Sequence, residues 1–180
     1  MMKRICEALD LTSRLSTLTK PFAAVKTLLL TSCVLSVVLL LPLMAAASAP
    51  YLPKGYTRWQ KSERKLVTDK SSLFYGIHYI YADKKAMKGY RAGNKFPEGS
   101  TIVVDYFNIK PGSTGDGAKN MVVMMRKDKR KKETGGWLFA GYDADGKPSG
   151  LDPVSTCLGC HQKDAAQRDF VITTIKDMKR

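Results

Sequence analysis

Residues 73–81 read LFYGIHYIY, and residues 100–109 read STIVVDYFNI. The first run is aromatic and β-branched, which predicts a strand largely buried on both faces; the second predicts another strand. Between them, Asp83 is placed to cap a short helix over Lys84–Arg91, with Gly93 as its stop. Phe96-Pro97-Glu98-Gly99 reads as a turn. Downstream, Lys110–Asn120 (KPGSTGDGAKN) is a loop by its Gly, Pro and Ser content, Met121–Met125 a third strand and Trp137–Tyr142 a fourth. Asp143-Ala144-Asp145-Gly146 opens like a calcium-binding loop, but Lys147 and Pro148 fall on ligand positions, which leaves a turn. Residues 153–167 are expected to be helical, and Phe170–Ile175 (FVITTI) to close the sheet. Strands dominate, so the fold class is mainly β (α+β), an antiparallel sheet domain with a few short helices.

The chain has 180 residues, 26% charged and 44% hydrophobic, which suits one domain with an appended segment. That excludes a large multidomain enzyme and wholesale disorder. Residues 27–47 (TLLLTSCVLSVVLLLPLMAAA) form an uncharged apolar run with basic residues before it and small ones after it. This is the order of a secretory signal. Residues 1–49 are therefore expected to be a signal peptide cleaved after Ala47 or Ala49, leaving 50–180 as the mature domain in a periplasmic or otherwise exported location. The alternative is an uncleaved anchor, since about 20 apolar residues span a bilayer; only then would the protein be held at a membrane. The leader holds five basic and two acidic residues, so the body keeps +11 of the +14 net charge. Arg126–Lys132 carries six basic residues in seven. Such a run is a solvated loop or a docking surface for an acidic redox partner or anionic headgroups. Nucleic acid is not an expected partner, because no aromatic platform interleaves with the charges.

With Cys6 and Cys33 in the leader, the mature chain retains Cys157 and Cys160. Cys157-Leu158-Gly159-Cys160-His161 is a C-x-x-C-H motif, the attachment signature of c-type haem. Two intervening residues in one turn hold the thiols at the separation of two vinyl groups, and the adjacent imidazole projects beneath the porphyrin. One covalent haem c is the expected cofactor, with Cys157 and Cys160 as thioethers and His161 as the proximal iron ligand. A thioredoxin-like pair should open a helix near the N-terminus, and a zinc site needs more ligands than His78 can add. The sixth-ligand candidates are His78, Met87, Met121, Met124, Met125 and Met178. Met121, Met124 and Met125 sit in an apolar strand and read as core. Alternation places Phe74, Gly76, His78 and Ile80 on one face; there His78 is a sixth ligand, a distal donor, a propionate partner or a core histidine. Asp105 and Glu133 are candidate proton relays that nothing in the sequence places at a haem.

Leu52-Pro53-Lys54-Gly55-Tyr56 with Trp59, then Ile77–Asp105, and finally Gly136-Trp137-Leu138-Phe139 with Cys157–His161 together resemble the cytochrome P-460 family and its relatives, the beta-type cytochromes c′. The likeness covers nearly all of residues 50–180, making them a cytochrome P-460-like haem c domain. It implies a five-coordinate iron under His161, with Phe74 where an aromatic residue shields the distal face and His78 where some members carry a distal Arg. Hydroxylamine-oxidising members bear a lysine bonded to the haem edge, and its position here is Val104, which forms no such bond. The implied function is binding of nitric oxide or another small nitrogen-oxide or diatomic ligand. Two alternatives stand beside it. One is a six-coordinate electron carrier; the other is a haem-dependent oxidoreductase acting on hydroxylamine, nitric oxide or peroxide. Homodimerisation stays open.

Overall fold

A computed structural model describes residues 50–152 and 154–178; the expected leader, its cleavage point, Cys6 and Cys33 lie outside the described residues. Six strands form one antiparallel sheet: β1 (Gln60–Lys61), β2 (Lys65–Val67), β3 (Gly76–Ala82), β4 (Thr101–Ile109), β5 (Asp116–Lys127) and β6 (Trp137–Asp143). The order is β1-β3-β4-β5-β6, with β2 pairing β3 beside β1. The fold class read from the sequence is therefore the observed one.

The LFYGIHYIY run enters its strand only at Gly76, not at Leu73. Gly76 has a φ of 125°, and a Cβ there would run into the Phe107 carbonyl, so the entry needs glycine. The short strands β1 and β2 carry too few residues for periodicity to reveal them. Ser62 joins them into one broken edge: its amide donates to the Ile80 carbonyl (2.8 Å), and its hydroxyl accepts from the Ile80 amide (3.0 Å).

Registry sorts the sheet into two faces. Ile80 pairs Val104, which pairs Val123, while His78 pairs Tyr106. Ile80, Ile102, Met125 and Phe139 share a core with Ala86, Met87 and Tyr90 from helix α1 (Lys84–Arg91) and with Val171 and Met178. On the opposite face, Tyr81, Val103, Val122, Met124, Ala140 and Tyr142 pack against Tyr56. Buried Asp105 lies on this second face. It accepts from the Tyr56 hydroxyl (2.6 Å) and pairs with Lys119 (3.0 Å).

Helix α1 is built as the sequence predicts. The Ala86 amide donates to Asp83 Oδ1 (2.6 Å), and Gly93 follows the C-cap with φ 69°. Its last turn holds Gly89, where a Cβ would lie 2.9 Å from the Phe96 Cα. Alanine for glycine in an open helix adds about 1 kcal/mol of stability. Here Gly89→Ala is expected to reverse that sign and cost about 1–3 kcal/mol by overpacking, read as a lower urea midpoint.

Two further stretches differ from expectation. The loop after β4 is shorter, and β5 already begins at Asp116. Arg64 Nε (2.9 Å) and the Tyr79 hydroxyl (2.6 Å) both hold the Asp116 carboxylate, which draws a weakly β-prone Asp-Gly-Ala-Lys stretch into the ladder. Phe170–Ile175 does not close the sheet. Asp169 and Phe170 take left-handed φ values of 54° and 61°, which breaks any ladder. The segment's carbonyls are instead taken by side chains, including Asn94 Nδ2 on Val171 (3.3 Å) and Thr173 (2.7 Å).

Candidate functional site

Residues 154–168 are helical as expected. A π-helical turn (Val154–Leu158) leads into α2 (Gly159–Ala165) and a 3-10 turn (Ala166–Arg168). Cys157 ends up buried and Cys160 exposed one turn later, and neither is in a disulfide. Burial pushes the Cys157 thiol up to about 11, with Asp152 and Cys160 adding to it. That is the opposite of the activated thiolate a redox C-x-x-C pair requires.

His161 is set by two contacts. Its ring packs edge-on against Phe139 at 5.1 Å. Its Nδ1 lies 2.7 Å from the Phe170 carbonyl oxygen. A carbonyl only accepts, so Nδ1 carries the proton and Nε2 keeps its lone pair. Burial holds the His161 pKa below the ordinary histidine value, against the opposing pull of the Phe170 carbonyl and Asp164. The neutral imidazole is the form a metal ligand uses.

One cavity of about 440 Å³ adjoins these groups. Cys157, Cys160 and His161 line it, and so do Phe74, His78 and Val104. The residues singled out in the sequence are thus brought together. Phe74 reaches the cavity from the turn before β3, so strand alternation placed it rightly for a reason that does not hold. Met124 and Met125 border the cavity within the packed sheet, whereas Met87 and Met178 are buried in the core around α1. Met121 is half-buried on β5. Asp105 and Glu133 do not line the cavity; Asp105 faces the other side of the sheet.

Tyr106 is a lining residue that the sequence reading missed. It sits two residues beyond Val104, on the same face, opposite His78. Its ring meets Phe74 at 5.4 Å and His78 at 4.9 Å. Burial raises its hydroxyl pKa, with Cys157 adding a smaller push, so the phenol is a neutral donor. Continuing the alternation Ile102, Val104, Tyr106 along β4 would have found it. His78 is half-buried; burial, then Lys65, lowers its pKa and favours the uncharged ring. Lys65 pairs with Asp177, and both lie on the cavity lining.

These residues fit a flat apolar macrocycle bearing an iron. Two thiols and a bare imidazole nitrogen line a cavity whose remaining lining is dominated by aliphatic and aromatic side chains. The basic run at Arg126–Lys132 is only partly a solvated loop. Arg126 and Lys127 belong to β5, and Lys127 is engaged with Asp169.

A family model described as cytochrome P460 matches residues 53–173, which contain every cavity residue named except Asp177. No curated protein matches the chain.

Proposed function

The chain belongs to the cytochrome P460 family and is therefore a haem protein, and from that membership we propose that it is an exported protein carrying a single haem c whose open distal side binds nitric oxide or a closely related small ligand. Cys157 and Cys160 hold the group through thioethers, and His161 Nε2 ligates the iron. The single observation that carries this reading is the shared cavity, lined by Cys157, Cys160 and His161 together with Phe74 and Val104. When bound, the haem supplies an iron able to coordinate a diatomic.

The remaining work falls to side chains of this chain. Phe74 and Val104 exclude water and offer no ligand atom. An anion entering such a pocket meets a desolvation cost of several kcal/mol, whereas a neutral diatomic does not. His78 and Tyr106 are the neutral donors facing that space, and they favour hydrogen bonding to a bound ligand over proton delivery. Family membership leaves hydroxylamine oxidation open as a class of activity. Val104 stands where its lysine is expected and offers no nitrogen to bond the haem from that position, so ligand binding is the favoured reading.

Export rests on the signal-like order of residues 1–49. The partner best matched to the surface is an acidic redox protein. Lys84, Lys85, Lys88, Arg91 and Lys95 are exposed along and just after α1, with no acidic residue among them. Lys129, Arg130 and Lys132 adjoin them across Glu98, whose carbonyl accepts from Lys85 Nζ (3.2 Å) and whose carboxylate accepts from the Lys129 amide (3.0 Å). A face of one sign speeds encounter with a partner of the other.

The test is ligand kinetics on the reduced protein with carbon monoxide and nitric oxide. Phe74→Ala is expected to raise the association rate about tenfold or more by opening the space over the iron. His78→Ala is expected to change the dissociation rate and leave entry nearly unaltered. A reduced protein that binds neither gas would overturn the proposal.

A further inference from the structure

We infer that Asp169, held by Lys127, is a positioning residue that sets the strength of the bond between His161 and the iron; this rests on the reading of His161 as the proximal ligand. Three non-glycine residues among those described have positive φ: Asn94, Asp169 and Phe170. Two of them are consecutive, and one is a bulky aromatic for which the left-handed region is an outlier. Strain of that kind persists only where the surroundings over-determine it. They do so here. One Asp169 carboxylate oxygen pairs with Lys127 Nζ, and the other accepts from the Phe96 amide (3.1 Å). The Asp169 carbonyl accepts from Trp137 Nε1 (2.8 Å). The Phe170 amide donates to the Ala165 carbonyl (2.8 Å), which closes the end of α2.

All of these contacts converge on one product, the direction of the Phe170 carbonyl. That oxygen is the acceptor for His161 Nδ1. Its own neighbours leave it no slack. The Phe170 ring lies against Gly135, where a Cβ would sit 2.6 Å from Cδ2, and Lys127 Nζ also donates to the Gly135 carbonyl (3.4 Å). A single lysine thus locks both the turn beneath the ring and the carboxylate before it. Asn94 pins the chain on the other side, through the Val171 and Thr173 carbonyls.

A firm acceptor on Nδ1 gives the imidazole more anionic character and makes Nε2 a stronger donor to a metal. A stronger donor stabilises the oxidised iron. The Asp169–Lys127 pair therefore acts on the iron without touching it. Neither member of the pair lines the cavity, whereas Phe74 does, so its effect is separable from any effect on ligand entry.

The experiment is resonance Raman spectroscopy and potentiometry of the purified, haem-loaded protein and three variants. Asp169→Asn keeps the size and the tolerance for left-handed backbone but loses the charge that Lys127 grips. Lys127→Met removes the same pairing from the other side. Both are expected to shift the ferrous iron–histidine stretching band to lower frequency and to raise the midpoint potential, and the double variant should move no further than either single one. Asp116→Asn, which disturbs a comparable ion pair with Arg64, should leave both readouts at their wild-type values. If Lys127→Met and Asp169→Asn fold and keep the wild-type band and potential, the inference is wrong. Should one variant fail to fold, the other decides the outcome. A wild-type protein with no iron–histidine band at all would instead remove the reading of a five-coordinate iron under His161, on which the inference stands.

Discussion

Alanine at both Cys157 and Cys160 is expected to abolish retention of haem through denaturation, the largest chemical change a pair of substitutions in this chain can produce. The wild-type protein should keep its haem colour after unfolding and acid–organic extraction, and its mass should exceed that of the mature chain by one haem. Cys157 is buried on the π-helical turn, Cys160 follows on the first turn of α2, and both line the cavity that receives the His161 edge. Cys157→Ala alone should leave one thioether or halt maturation. Unchanged haem mass in the double variant would show that the attachment lies elsewhere.

The second large effect is on stability. Trp137 is completely buried, meets the Phe96 ring at 5.4 Å and lies beneath Lys127 Nζ at 5.0 Å. Its Nε1 is also the donor to the Asp169 carbonyl. Trp137→Ala removes a large apolar volume and strands that carbonyl together. A loss of about 3–5 kcal/mol follows from large-to-small substitution at such a site. Against a total of about 5–15 kcal/mol for a domain, this is about a fifth of the whole at the least. Urea unfolding should record it as a markedly lower midpoint at unchanged slope; a change below about 1 kcal/mol would mean the core closes over the gap.

The elements that could be read in advance are those whose signals are local. Asp83 and Gly93 mark both ends of α1, and Thr101–Ile109 announces itself through β-branched and aromatic side chains. The four main strands follow from the same kind of signal. What escaped reading depends on partners distant in sequence. Asp116 joins β5 because Arg64 and Tyr79 reach it, and no window around residue 116 contains either. Phe170–Ile175 has strand-like composition, yet its backbone carbonyls are claimed by Asn94 and His161. The same distinction holds at the site. Cys157, Cys160 and His161 carry their chemistry in their spacing, and the family resemblance pointed to Phe74, His78 and Val104. Tyr106 lay within reach of the same alternation along β4, whereas Asp169 becomes visible only once the C-terminal segment is folded against the sheet.

The central claim is an iron bound by His161 on one side and by no protein atom on the other. The most direct measurement is the absorption and resonance Raman spectrum of the purified ferrous protein, recorded before and after carbon monoxide is added. A five-coordinate, high-spin haem c that lacks the red-shifted band for which the family is named, and that converts fully to a low-spin carbon monoxide adduct, is the predicted result. A spectrum that is low-spin from the start and indifferent to the gas would contradict it. That outcome would mean a side chain such as His78 or Met125 occupies the sixth position, and that the protein carries electrons without binding a ligand.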